Sequence, residues 1–117
     1  MTQTSGLTGS YDIVGIDGAA PPADLSPTIE FGDDGAVLGQ VINRFRGTGA
    51  IADDTLTCGP IMSTLMAGPA DAMAAESRVF ALLGAPLAIT VERDHVVLTG
   101  ADGELRLRRR TGDVTTT

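Results

Sequence analysis

Read along its hydrophobic and polar positions, the chain divides into short apolar runs separated by dense turn signals. Asp17-Gly18, Pro21-Pro22, Asp34-Gly35, Gly59-Pro60, Gly68-Pro69, Ala85-Pro86 and Asp102-Gly103 recur at short intervals, as a mainly antiparallel sheet requires. Between them, β-favouring runs occupy residues 10–16, 28–31, 36–45, 55–58, 61–67, 87–92, 95–99 and 104–109. Runs 28–31 and 36–45 flank Gly32-Asp33-Asp34-Gly35 and predict a hairpin. Runs 87–92 and 95–99 flank Arg93-Asp94 and predict a second, which 104–109 extends to a meander. In that last run Arg106 and Arg108 alternate with Leu105 and Leu107. This puts the arginines on the solvent side, where they would guard an outer strand against edge pairing.

One segment has another period. Residues 69–83 are rich in Ala, open with Pro69, carry Asp71 in the first turn and stop at Gly84, which are helix signals. Met73, Phe80 and Leu83, with Val79 beside them, form a stripe at helical spacing that should face the sheet. The expected fold is α+β: a curved antiparallel sheet or small barrel of about seven or eight strands, with one α-helix over about 69–83 packed on it. A single domain over 10–110 is expected, with small, polar, frayed ends at 1–9 and 111–117.

Composition narrows the chemistry. A chain of 117 residues supports one core. Its aromatics are Tyr11, Phe31, Phe45 and Phe80, with no Trp, so that core is mostly aliphatic. A net charge of −7 argues against a phosphate-backbone binder, and no nucleic-acid partner is expected. All eight basic residues are Arg, which excludes Schiff-base chemistry and a P-loop lysine. With one Cys (Cys58) and one His (His95), a Cys/His zinc site cannot be built from this chain alone. No G-x-S-x-G nucleophile elbow occurs. Asp33-Asp34 and Asp53-Asp54 lack the spaced oxygens of a calcium loop and read as solvated turns. No cofactor is expected, His95 reads as an exposed turn residue, and Cys58 as a small half-buried one. The N-terminus lacks the basic start and apolar run of a signal peptide, and no apolar stretch approaches the ~18–20 residues of a membrane span. The expected location is cytoplasmic; the alternative is a secreted or envelope protein without its signal.

Two polar residues interrupt apolar patterns. Asn43 lies between Val41 and Phe45 at period two and should share their face, where a buried amide needs partners. Glu76 lies three after Met73 and four before Phe80, within the apolar stripe. It is either on the rim of that face or buried and paired, with Arg44, Arg46 or Asn43 as the partner. Both are candidate binding or structural polar-core residues. On the first reading they anchor a small ligand in a pocket between helix and sheet, lined by Phe45, Met66, Met73 and Phe80. On the second, preferred reading they brace helix against sheet.

Over roughly residues 7–109 the order of motifs resembles the META domain (HslJ-like) family. The opening Leu7-Thr-Gly9-Ser-Tyr11 is similar to that family's Leu–Gly–aromatic strand, and Ile29-Glu-Phe31-Gly-Asp-Asp-Gly35 to its strand ending in Phe and a Gly turn. Gly39-Gln-Val-Ile42-Asn43-Arg-Phe-Arg-Gly47 resembles its Gly-x-x-Cys-Asn-x-x-x-Gly element. Thr64-Leu-Met66-Ala67-Gly68 resembles its Thr-x-Met-Ala-Cys segment. Glu76, Phe80 and Leu83 fall in the helix, followed by the Leu-rich hairpin and strand at Leu98, Leu105 and Leu107. Both family cysteines are absent, replaced by Ile42 and Gly68, and Tyr11 stands where a Trp is usual. The lipoprotein signal of many relatives is missing.

The resemblance implies a small β-rich domain with one helix and no known catalytic residues. It also implies an association with heat stress, antibiotic tolerance and the cell envelope, and in parasites with virulence and secretion. The resulting expectation is a non-enzymatic domain acting through an unknown protein partner in a stress- or envelope-associated setting. A small-ligand binder is the alternative.

Overall fold

The structure, a computed structural model, describes residues 7–110. Nine strands and one helix follow in the order β1 (Gly9–Ile16), β2 (Thr28–Phe31), β3 (Ala36–Gln40), β4 (Arg44–Ala52), β5 (Thr55–Cys58), β6 (Met62–Ser63), α1 (Ala70–Leu83), β7 (Leu87–Val91), β8 (His95–Thr99) and β9 (Glu104–Arg109). All pairings are antiparallel, in the order β3-β2-β1-β9-β8-β7-β5-β4-β6. The further pairing of β3 with β4 closes eight of these strands into a barrel, with β6 outside the ring. The α+β small barrel expected from the sequence is the fold observed.

The period-two alternation sends one side chain in two inward. Tyr11 and Ile13 of β1 meet Ile29 and Phe31 of β2 on one side and Leu105 and Leu107 of β9 on the other, with Val96 and Leu98 of β8 beyond. Eight strands leave an interior that side chains fill completely. Tyr11 packs edge-on against Phe31, with centroids 5.8 Å apart. Its hydroxyl donates to the Leu7 carbonyl oxygen at 2.8 Å, and the Arg109 guanidinium lies 5.0 Å over its ring. Leu7 is buried and Gly9 opens β1, so the packed domain begins before residue 10. The remainder of the expected frayed ends, 1–6 and 111–117, lies outside the described residues.

Three expectations are corrected. Run 36–45 is not one strand, because the chain turns at 41–43 and starts a longer β4 that reaches Ala52. Run 61–67 is regular only at Met62–Ser63. The β9 arginines do not guard an edge, since barrel closure pairs β9 with both β1 and β8. Arg106 instead pairs with Glu92 at 2.8 Å, and Arg108 with Asp12 at 3.7 Å, on the outer surface.

Helix α1 lies across one end of the barrel. Glu76 reaches the β3–β4 turn, while Arg78 reaches Asp17 after β1 and the Asp102 carbonyl oxygen between β8 and β9. Antiparallel order puts those three connections at the same end. The buried face runs through Ala72, Glu76, Val79, Leu82 and Leu83. Met73, expected on that face, is 37% exposed. The stripe is phased one residue earlier than the large apolar side chains suggest, because the centre of the contact belongs to the carboxylate.

Candidate functional site

The tight turn at 41–43 has no glycine or proline of its own; besides a Val41 N–H bond to the Asn43 carbonyl oxygen at 3.3 Å, α1 supplies its bonding. Glu76 Oε2 accepts the backbone N–H of Ile42 at 3.0 Å and of Asn43 at 2.7 Å, and Oε1 accepts Asn43 Nδ2 at 2.9 Å. Asn43 Nδ2 also donates to the Met66 carbonyl oxygen at 3.1 Å, and Asn43 Oδ1 accepts from Met66 N at 2.6 Å and Thr64 Oγ1 at 2.8 Å. An amide offers two donors and two acceptor positions, and all four are used. Asn43 is 3% exposed and Glu76 6%. Its donor and acceptor on Met66 reproduce a backbone rung, so the side chain extends the β4–β6 ladder beyond the end of β4.

The structure thus brings Asn43 and Glu76 together, and of the three partners considered for Glu76 it selects Asn43. Arg44 and Arg46 alternate to the outer face of β4, away from α1. The four apolar candidates separate. Phe45 and Phe80 stack edge-on with centroids 5.3 Å apart, whereas Met66 and Met73 lie at the surface, Met66 54% exposed. Phe45 fits because Gly39, its cross-strand partner, has no side chain: a Cβ there would lie 2.5 Å from Phe45 Cζ. Ile42 and Gly68, where the family resemblance implies cysteines, are neighbours. A Cβ on Gly68 would lie 3.0 Å from Ile42 Cδ1 and 3.5 Å from Cγ1 and Cγ2.

Cys58 is half-buried, and burial pushes its thiol up to about 11, which keeps it protonated and poorly nucleophilic near neutrality. Hydrogen bonding from Arg78 holds the Asp17 carboxyl below its ordinary range.

Sequence reasoning missed a second surface. An open groove of about 520 Å³ runs over the outer face of β3, β4 and β6, bordered by Leu38, Gln40, Arg44, Arg46, Met62 and Thr64. Of the six site candidates, only Phe45 lines it. Leu38 pairs across with Arg46, and Arg46 with Met62, so two apolar side chains flank an arginine. Neither Arg44 nor Arg46 is paired with a carboxylate among the described residues. Among the described residues, Leu38, Met62, Leu65 and Met66 account for four of the six exposed large hydrophobic residues. No charged residue lies between Asp54 and Asp71. That neutral stretch, beside alternating Arg44 and Arg46, was the available signal.

A closed eight-stranded antiparallel barrel with a single helix across one end defines the class. The META domain family matches residues 5–113, and the chain belongs to that family. Two NMR structures share its fold. One, described only as that of a protein, is 19% identical with a TM-score of 0.76, over 92% of each chain. The other, of a protein from Burkholderia xenovorans, is 22% identical with a TM-score of 0.72, over 92% of this chain and 86% of that one. No curated protein matches this chain in sequence. No helix among the described residues is long and apolar enough to cross a membrane.

Proposed function

We propose that this META domain is a non-enzymatic interaction domain, and that a protein partner docks on the outer face of β3, β4 and β6. The observation that carries this reading is that exposed Leu38 and Met62 flank Arg46, with Arg44 beside them, on the outer face of β3, β4 and β6, and that neither arginine has a carboxylate partner among the described residues of a chain with net charge −7. Contiguous exposed apolar surface marks contact sites. On this reading Asn43 and Glu76 are structural: they use their polar capacity on each other, on backbone and on the Thr64 hydroxyl, and they hold the segment bearing Met62, Leu65 and Met66 in place. The family's association with heat stress and the cell envelope supplies the setting.

The test is photo-crosslinking in cells from an unnatural residue at Met62, with exposed Val91 as the control position. A discrete protein adduct from 62 that is absent from 91, and is lost with Arg44→Glu/Arg46→Glu, is expected. Equal labelling from both positions, or none from 62, would sink the reading. Small-ligand binding is the second reading; the volume of the groove favours it over any space at Glu76. It predicts saturable shifts of groove amides by a low-molecular-weight compound.

A further inference from the structure

The chain from Met62 to Ala67 has two backbone edges, and only one is occupied. Met62 pairs with Arg46, Thr64 N–H donates to the Arg44 carbonyl oxygen at 3.1 Å, and Met66 gives its N–H and C=O to the side chain of Asn43. The even-numbered residues therefore turn their backbone groups toward β4. Continued past the two regular residues of β6, the alternation set by the bonds at Thr64 and Met66 turns the backbone groups of Ser63, Leu65 and Ala67 outward. The backbones of Leu65 and Ala67 have no hydrogen-bond partner among the described residues. β6 pairs with β4 alone, and the Leu65 side chain is 96% exposed.

An exposed sheet edge is normally shortened, bent or charged so that nothing adds to it. This one is short, with only Met62–Ser63 in regular strand, but it carries no charge over Ile61–Gly68 and has Pro60 and Pro69 only at its two limits. Those prolines set the length on which pairing is allowed without blocking its middle.

Resting on the reading of this face as the contact surface, we propose that the partner contributes an extended segment that adds as a strand on the free edge of β6. The segment is apolar where it meets Ser63 and Leu65, and acidic at the alternate positions. Its acidic side chains face outward with Met62 and Thr64, beside Arg44 and Arg46. A strand added to β6 is two strand spacings from β4, about 10 Å, within the combined length of an arginine and a glutamate side chain. Small Thr64 is the residue Arg44 must reach across. A second copy of the chain fits less well: each copy carries −7, and pairing two such short edges covers less than a stable dimer needs.

The test uses two short blocked peptides, alternating valine–glutamate and valine–lysine, titrated into the isotope-labelled full chain and followed by amide NMR. The glutamate peptide should shift the amides of 63, 65 and 67 saturably, and raised salt should weaken it. Leu65→Pro removes an outward N–H while leaving the bonds at Thr64 and Met66, and should weaken binding by about tenfold or more. Arg44→Glu/Arg46→Glu, an exposed double change that spares the core, should weaken the glutamate peptide similarly and favour the lysine peptide. If shifts are confined to Leu38, Arg44, Arg46 and Met62 and Leu65→Pro binds as well as wild type, strand addition is wrong while the contact face stands. Equal binding of the two peptides overturns the acidic class. Concentration-dependent dimerisation abolished by Leu65→Pro assigns the edge to a second copy and overturns the proposal. No shift from either peptide also overturns it, and leaves the contact face to be judged by the crosslinking at Met62.

Discussion

Replacing Glu76 by glutamine keeps the size of the side chain and changes only what its two terminal atoms can do. In the native protein both oxygens accept: one takes two backbone N–H groups, the other takes Asn43 Nδ2. Glutamine accepts at one oxygen, and its nitrogen must point either at two backbone donors or at the Asn43 amide nitrogen. Asn43 cannot rotate to relieve this, because its own oxygen is held by Met66 N–H and the Thr64 hydroxyl. In the better orientation one donor pair faces another, leaving a buried donor unsatisfied at about 1–3 kcal/mol, and two charge-assisted bonds become neutral at about 1 kcal/mol each. The sum is about 3–5 kcal/mol, a large part of the roughly 5–15 kcal/mol that holds a domain folded. Urea unfolding followed by far-UV circular dichroism reads it directly; with no tryptophan, fluorescence rests on Tyr11 alone. A fall in the midpoint with an unchanged slope is expected. Asn43→Ala should cost a similar amount, and the double variant much less than the sum. If Glu76→Gln comes within about 1 kcal/mol of wild type, the brace is not what holds the turn at 41–43.

Ile42→Cys/Gly68→Cys, in a Cys58→Ala background, should form a disulfide on oxidation, since a Cβ at position 68 would adjoin the Ile42 side chain. Closing a loop of about 26 residues should make the oxidised form about 3–4 kcal/mol more stable than the reduced one; thiols that stay free to a colorimetric reagent after oxidation would refute the placement. Asp53 and Asp54 join β4 to β5 with φ of 52° and 60°, a conformation that asparagine and glycine tolerate better. Asp53→Asn/Asp54→Gly should therefore raise stability by about 1 kcal/mol, seen as a higher thermal midpoint, and an unchanged or lower one counts against the turn. Asp17 titrates below its ordinary range because of Arg78, so its contribution is present above the unfolded value near pH 4 and is lost as pH falls through the folded one. Arg78→Gln should thus be slightly less stable than wild type at neutral pH, with a gap that narrows in acid; a gap that stays constant in acid unfolding would remove Asp17 from the account.

Much of the barrel was legible from local signals. β2, β5, β8 and β9 fall where apolar runs end at turn residues, and α1 where Pro69, Asp71 and Gly84 mark its limits. These depend on the backbone within a few residues, which the covalent chain carries with it. Asn43 and Glu76 were legible as anomalies, since each is a polar residue in an apolar pattern. That Asn43 and not Arg44 or Arg46 meets Glu76 was not legible, because it follows from which face of β4 turns toward α1. The phase of the helix was misread at Met73 for the same reason: side-chain size marks an apolar stripe, but its contact is centred by what lies opposite. The break at 41–43 is invisible locally, because the groups that turn the chain come from Glu76, some 34 residues later. Barrel closure through β3 and β4, and with it the loss of an edge at β9 and the appearance of one at β6, also belongs to tertiary structure. Alternation fixes which side chains share a face, whereas only the pairing of distant strands decides which edge is left for a partner.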